Sequence, residues 1–193
     1  MSVADAASAI ERGELVVYPT DTVYGLAGDA TDEGAIERVF AAKGRDRSNP
    51  LSFAVADVDT ALDYVRVGER EEAFMREFLP GRVTVVCEKR DVLPDALTGG
   101  RERVGVRVPD HDLALEFLDA AGAVTATSAN RSGRSNARRA GDVDPEIRKA
   151  ASVVLDGGET PGGESTVVDP GEGVVHRAGA DADRVEAWLE ERA

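Results

Sequence analysis

The sequence predicts a mixed α/β fold, a single domain built around one twisted sheet, and three observations carry that prediction. Strand-like and helix-like segments alternate along all 193 residues. Hydrophobic residues make up 42% of the chain and prolines number only eight, which suffices for one sizeable core. The helices separate the strands too irregularly for a plain doubly wound array, and no internal repeat, linker or low-complexity tract divides the chain. Residues 1–193 are therefore read as one domain.

Each element has its own signal. Residues 3–12 carry a helical pattern that Gly13 ends, and Leu15-Val-Val-Tyr18 is a short buried strand stopped by Pro19. Asp32 is placed to cap a helix running to about residue 42, with Ile36, Val39 and Phe40 on one face. Lys43 lies seven residues past Ile36, so it continues the inward stripe, and Gly44 is a natural stop behind it. A strand is expected at 51–55 and helices near 58–65 and 69–79, the second closed by Pro80-Gly81. Strands follow at 83–88 and 104–108, then a helix at 112–121 and a strand at 123–127 that runs into Ser128. A helix near 143–150, strands near 152–156, 165–168 and 173–177, and an amphipathic helix with Val185, Trp188 and Leu189 complete the series.

Thirty-seven acids against three lysines and twenty arginines give a formal charge of -14. No acidic run is concentrated, so the acids read as a solvated, high-salt type of surface on helix faces. Such a surface opposes broad nucleic-acid binding, which draws on counterion release from a basic face. One window departs from it. The 22 residues Ala120 to Gly141 contain no Asp or Glu, yet carry Arg131, Arg134, Arg138 and Arg139. A strongly acidic chain that keeps a segment free of acids is expected to bind an anion there. With the upstream cluster Lys43-Gly44-Arg45-Asp46-Arg47, it predicts a phosphate site assembled from two distant segments.

Several classes drop out. Nothing approaches 18 consecutive apolar residues, and the first residues lack a basic start and an apolar core, so neither a membrane helix nor a signal peptide is expected and the chain reads as cytoplasmic. The one cysteine, Cys87, excludes an internal disulfide and, in a β-branched run, reads as a buried inert thiol. There is no zinc-type Cys/His spacing and no phosphate-binding glycine signature. A nucleotide site must then rest on side chains, with Lys43, Arg45 and the Ser128-Ala129-Asn130 turn as candidates. An equal reading makes Lys43 and Arg45 solvated cations at a helix end, favoured by the dipole. Arg107 sits in an apolar strand, where it needs a carboxylate partner or a ligand; a clamp on a small acid fits. The hydroxyls of Pro19-Thr-Asp-Thr22 either cap a turn or line a pocket, and the glycine-flanked stretch Gly157 to Gly163 reads as a mobile loop able to close over a site. No Ser/His/Asp order and no carboxylate pair stands out, which favours catalysis by positioning and charge neutralisation, as in nucleotidyl transfer.

Together these segments resemble the YrdC/TsaC family of threonylcarbamoyl-AMP synthases, over about residues 10 to 179 and in matching order. The matching pieces are Pro19-Thr-Asp-Thr-Val-Tyr-Gly-Leu26, Phe40-Ala-Ala-Lys-Gly-Arg45, Asn49-Pro-Leu51 and Leu79-Pro-Gly81. Further on come Val104-Gly-Val-Arg-Val-Pro-Asp-His111, Thr127-Ser-Ala-Asn-Arg-Ser-Gly133, Asp156-Gly-Gly158 and Gly163-Glu-Ser-Thr-Val-Val-Asp169. Any one is weak, but this many in register are specific.

The resemblance implies a twisted mixed sheet flanked by helices, with a deep cationic cavity. It implies ATP, L-threonine and bicarbonate as substrates, with Mg2+, and threonylcarbamoyl-AMP and pyrophosphate as products. The product would pass to a tRNA threonylcarbamoyl transferase complex. The family's tetrad falls on Lys43, Arg45, Ser128 and Asn130, the implied catalytic set. ATP would meet Lys43, Arg103, Ser128, Asn136 and Arg177; threonine would meet Thr20, Arg107, Ser165 and the backbone at Ala126. The chain departs from the family pattern at Asp46 (usually Pro), Ala54 (His in many longer relatives), Arg82 (usually Pro) and Asn136 to Arg138 (usually Ser-Pro-Thr). It resembles the short type, without the further C-terminal domain of the longer relatives. The alternatives are a paralogue of the same fold acting on threonylcarbamoyl-AMP or another carbamoyl adenylate, and an RNA-binding module in which the arginines of 131–139 grip phosphates.

Overall fold

The computed structural model describes residues 1–192. In chain order the elements are α1 (Val3–Glu11), β1 (Leu15–Tyr18), β2 (Gly25–Ala27), α2 (Glu33–Lys43), β3 (Ser52–Ala54), α3 (Val58–Ala61), β4 (Val65–Arg66), α4 (Glu69–Phe78) and β5 (Val83–Lys89). There follow α5 (Asp95–Thr98), β6 (Arg103–Arg107), α6 (Asp112–Ala121), β7 (Val124–Ser128), a 3₁₀ turn (Ala140–Asp142), α7 (Pro145–Ala150), β8 (Ala151–Val154), β9 (Thr166–Asp169), β10 (Val174–Arg177) and α8 (Ala182–Glu191).

One mixed sheet runs β10-β9-β5-β6-β3-β7-β2-β1-β8, with β4 paired to β5 off that path. Strand β1 alternates between two apolar layers. Leu15 and Val17 join one with Ile36, Phe40, Phe74 and Trp188, while Val16 and Tyr18 join the other with Ile10, Phe117 and Leu118. The first layer is thus covered by α2, α4 and α8, the second by α1 and α6.

The helix signals in the sequence act as expected. The Asp32 carboxylate accepts the main-chain N–H groups of Gly34 and Ala35 and starts α2, and Gly44, at φ +57°, ends it in the left-handed region. Between them Ile36, Val39, Phe40 and Lys43 are all buried. The differences are short elements. The expected helix over 58–65 is a single turn followed by β4, because Tyr64 and Val65 turn inward and β4 pairs with β5. Strand β2 and helix α5, three and four residues long, carry no periodicity to read.

The register places the site. Strands β1 and β7 both run antiparallel to β2, so they point the same way. Their C-terminal ends, Pro19-Thr20 and Ser128 to Asn130, therefore leave the sheet on one side, where the C-terminal turn of α2 delivers Lys43.

Candidate active site

A cavity of about 750 Å³ opens on the α1/α6 face of the sheet. Its floor is empty because the sequence puts small residues there. Ser52 pairs with Ala126 and Gly25 pairs with Ser128, so these four share a face, and Ala54 follows Ser52 at the same-face spacing. Larger side chains at these alternating positions would fill the space.

Five cationic side chains line the cavity: Lys43, Arg45, Arg107, Arg134 and Arg177. Three have carboxylate partners. Arg107 meets Asp21 at 2.5 Å, Arg134 meets Asp144 at 2.9 Å, and Arg177 lies 3.7 Å from Glu164. Lys43 and Arg45 have none among the described residues. Lys43, 2% exposed, donates to the main-chain carbonyl of Asn130 at 2.7 Å and to that of Ser128. Its burial, and then the nearby Arg45 charge, pull its pKa down to about 8. Arg45 donates to the carbonyls of Asn49 (3.0 Å) and Pro50 (2.9 Å), and burial lowers its pKa. The reading of these two as solvated helix-end cations is thereby overturned for Lys43, which is buried. Carbonyl oxygens orient both groups but leave their charges unbalanced.

The other expected residues arrive unevenly. Ser128 and Asn130 line the cavity. The Asn130 amide donates to the carbonyls of Arg131 (2.9 Å) and Arg134 (2.7 Å) and so staples the turn behind it. Thr20 also lines the cavity, with its hydroxyl donating to Val23 O at 2.6 Å; both offered readings, turn cap and pocket wall, hold. Ser165 Oγ is 2.8 Å from Thr84 Oγ1, and Arg177 donates to the Ser165 carbonyl at 2.9 Å and to its hydroxyl at 3.1 Å. Ala126 lies on the floor and Asn136 on the exposed rim. Arg103 does not reach the cavity. It is held by Asp169, which is 1% exposed, and donates to Val86 O at 3.1 Å.

Arg107 has the carboxylate its strand position demanded. Beyond Asp21, its guanidinium donates to Val83 O at 2.7 Å and to Gly81 O. Sequence reasoning missed Asp21 as that partner, along with Tyr18, Ser52 and Glu164 on the cavity wall. Tyr18, Asp21 and Ser52 lie within or beside the motif segments, but only strand register could show which of them face the cavity.

Two further expectations need correction. The four arginines of the acid-free window are not an open anion site, because acids flanking the window meet them. Arg131 pairs with Glu146, Arg134 with Asp144, and Arg138 and Arg139 with Glu159 at 2.9 and 2.6 Å. The stretch 157–163 is also no free loop. Tyr24 Oη donates to Gly158 O at 2.8 Å, Thr160 N donates to Arg138 O at 2.8 Å and Gly162 N donates to Thr22 O at 2.7 Å. It forms a pinned wall, with Gly163 and Glu164 facing the cavity. Cys87 is buried, and burial pushes its thiol up to about 12, as an inert core residue should show. Among the described residues no helix is long and apolar enough to cross a membrane.

A family model covering the Sua5, YciO and YrdC proteins, described as telomere recombination, matches residues 8–179. The threonylcarbamoyl-AMP synthase of Pyrococcus abyssi is 40% identical over 167 residues, which is 85% of this chain and 49% of that protein. The threonylcarbamoyl-AMP synthase of Bacillus subtilis is 34% identical over 194 residues, 97% of this chain and 56% of that protein. The crystal structure of P. abyssi Sua5 complexed with L-threonine superimposes with a TM-score of 0.88 at 37% identity, covering 95% of this chain and 56% of that one. The chain thus spans about half the length of these relatives.

Proposed function

This chain belongs to the Sua5/YciO/YrdC family, and on that premise we propose that it is a threonylcarbamoyl-AMP synthase acting as one unit over residues 1–193. One observation carries the reading: in a chain of charge -14, two cations in the cavity are left without carboxylate partners, Lys43 and Arg45. An anion with more than one charge, such as a polyphosphate, would balance both. The small-residue floor beside them leaves room for an amino acid.

In the proposed reaction the neutral amine of L-threonine adds to the carbon of CO2 derived from bicarbonate and loses a proton, giving an N-carboxylate. An oxygen of that carboxylate attacks the α-phosphorus of ATP, and the bond to the β-phosphate oxygen breaks. Threonylcarbamoyl-AMP forms and pyrophosphate leaves with the electron pair. Lys43, already anchored by two carbonyls, directs its remaining N–H at the phosphates, where charge grows during transfer. Arg45 balances the leaving pyrophosphate, and Ser128 orients phosphate and carboxylate oxygens. Asn130 fixes the turn that carries these groups. Arg107, Thr20, Ser165 and the main chain at Ala126 hold threonine, while Arg177 and Asn136 flank the nucleotide. Arg103, held by Asp169 and not among the cavity residues, is left out of this set.

The residues do not fit a metal held by the protein. Only Asp46 and Glu164 bring carboxylates to the cavity wall, and among the described residues no group of three or more His, Cys, Asp or Glu could hold an ion. Mg2+ then belongs to the substrate, as MgATP. The expected place of action is the cytoplasm, with the product consumed by a tRNA threonylcarbamoyl transferase complex. The acids beside Arg131, Arg134, Arg138 and Arg139 offset the positive charge that the RNA-binding alternative invoked, which favours the enzyme reading.

The test is product mass. Purified chain given ATP, L-threonine and carbon-13 bicarbonate should form threonylcarbamoyl-AMP that carries the label. Unlabelled threonyl-AMP, or no adduct at all, would overturn the proposal.

A further inference from the structure

We infer that the Tyr18 hydroxyl belongs to the amino-acid subsite, as a neutral hydrogen-bond donor that shares the amino acid's carboxylate with Arg107. The inference rests on the threonylcarbamoyl-AMP reading and assigns a residue that the motif resemblance did not.

Tyr18 ends β1, is 1% exposed and lines the cavity. Its ring reaches beyond its own strand. The residue paired with it on β2 is Gly25, and a Cβ there would lie 2.9 Å from Tyr18 Cε1 and 3.2 Å from Cζ. The hydroxyl-bearing end of the ring therefore lies across β2, on the side of the cavity floor. The Phe117 ring, 5.2 Å away between centroids, steadies it from the α6 side. Gly25 is thus glycine for a packing reason: any side chain would drive the ring out of place.

A tyrosine buried this deeply ordinarily finds a partner for its hydroxyl. Among the described residues Tyr18 Oη makes no hydrogen bond, whereas the hydroxyl of Tyr24, in the opposite layer, makes several. The charges that Tyr18 feels are those of Arg107 and Asp21, and burial raises its pKa, so it stays protonated and able to donate.

Arg107 needs such a helper. Three of its donor directions are spent on Gly81 O, Val83 O and Asp21, and Asp21 offsets its charge. A carboxylate offers about four lone-pair sites, more than the remaining guanidinium N–H groups can satisfy. Tyr18 Oη is a free donor on the wall shared with Thr20 and Arg107.

The test compares the wild-type chain with Tyr18→Phe, which keeps the ring against Gly25 and Phe117, by calorimetric titration with L-threonine, L-threoninamide and ATP. The expected result is about 10-fold weaker threonine binding, the size of one hydrogen bond to a charged group. The preference for threonine over its uncharged amide should narrow, and ATP affinity should stay at the wild-type value. Unchanged threonine affinity overturns the inference, as does an equal loss for ATP, which would mark a general structural effect. If the wild-type chain binds ATP but no threonine, the amino-acid reading of the cavity itself falls.

Discussion

Lys43 donates its ammonium to the main-chain carbonyl of Asn130, 2.7 Å away and 87 residues on in the chain. This bond ties the end of α2 to the turn after β7 and holds in the cavity one of its two cations without a carboxylate partner among the described residues. Replacing Lys43 by Ala should lower the rate of pyrophosphate formation by about 100- to 1,000-fold, the usual loss when one preorganised charge-stabilising donor is removed. Lys43→Arg should not rescue it, because a planar fork cannot meet two carbonyls and a phosphate as an ammonium does. Steady-state assays at saturating ATP and threonine check both.

The lowered pKa of Lys43 gives a pH signature. Its value falls from the ordinary 10.5 to about 8, so between those limits the unfolded chain binds more protons than the folded one. The contribution of Lys43 to stability is therefore full above 10.5 and is lost as pH falls through 8. Urea unfolding of the wild-type chain, referred to Lys43→Met, should show stability rising across that window. Pyrophosphate binding should follow the opposite course, at full strength below pH 8 and weakening above it as the ammonium is lost. A flat affinity from pH 7 to 10 would remove Lys43 from the anion site.

Asp21 and Arg107 are both buried side chains, 6% and 10% exposed. Asp21→Ala leaves the guanidinium without its counter-charge and should cost about 3 kcal/mol of stability. Added L-threonine should restore part of this loss, because its carboxylate takes up the freed guanidinium. Thermal melts with and without the amino acid measure the recovery.

Tyr24 Oη donates to Gly158 O and accepts from Gly157 N at 3.1 Å, so one hydroxyl pins the start of the 157–163 wall. Tyr24→Phe should cost about 1 kcal/mol and make limited proteolysis within that stretch faster. Equal cleavage rates would mean that Thr160 and Gly162 hold the wall alone.

Most of the fold was legible because its long elements obey simple periodicities. The buried stripe Ile36, Val39, Phe40 and Lys43 is a property of helical spacing, and it correctly turned a lysine inward. β2, β4 and α5 were not legible, since two to four residues carry no period and their conformation is set by pairing and packing. For the site, the motifs named Lys43, Arg45, Ser128 and Arg107, all of which the fold brings to one cavity. Composition misled where it counted charges along the chain only. The acid-free window looked like an anion site, but Asp144 and Glu146 just beyond it, and Glu159 further along the chain, come back to its arginines. Whether a cation is free or paired is a question of tertiary distance, and the same limit hid Asp21 from the reading of Arg107 and Asp169 from that of Arg103.

Calorimetric titration with pyrophosphate compares the two kinds of cation most directly. Lys43→Ala and Arg45→Ala should each weaken binding by at least about 10-fold, since each removes a charge-assisted contact. The double variant Arg138→Gln, Arg139→Gln should bind as the wild-type chain does, because those guanidinium groups lie outside the cavity lining and share Glu159. The reverse pattern, with binding lost in the double variant and kept in the other two, would contradict the account.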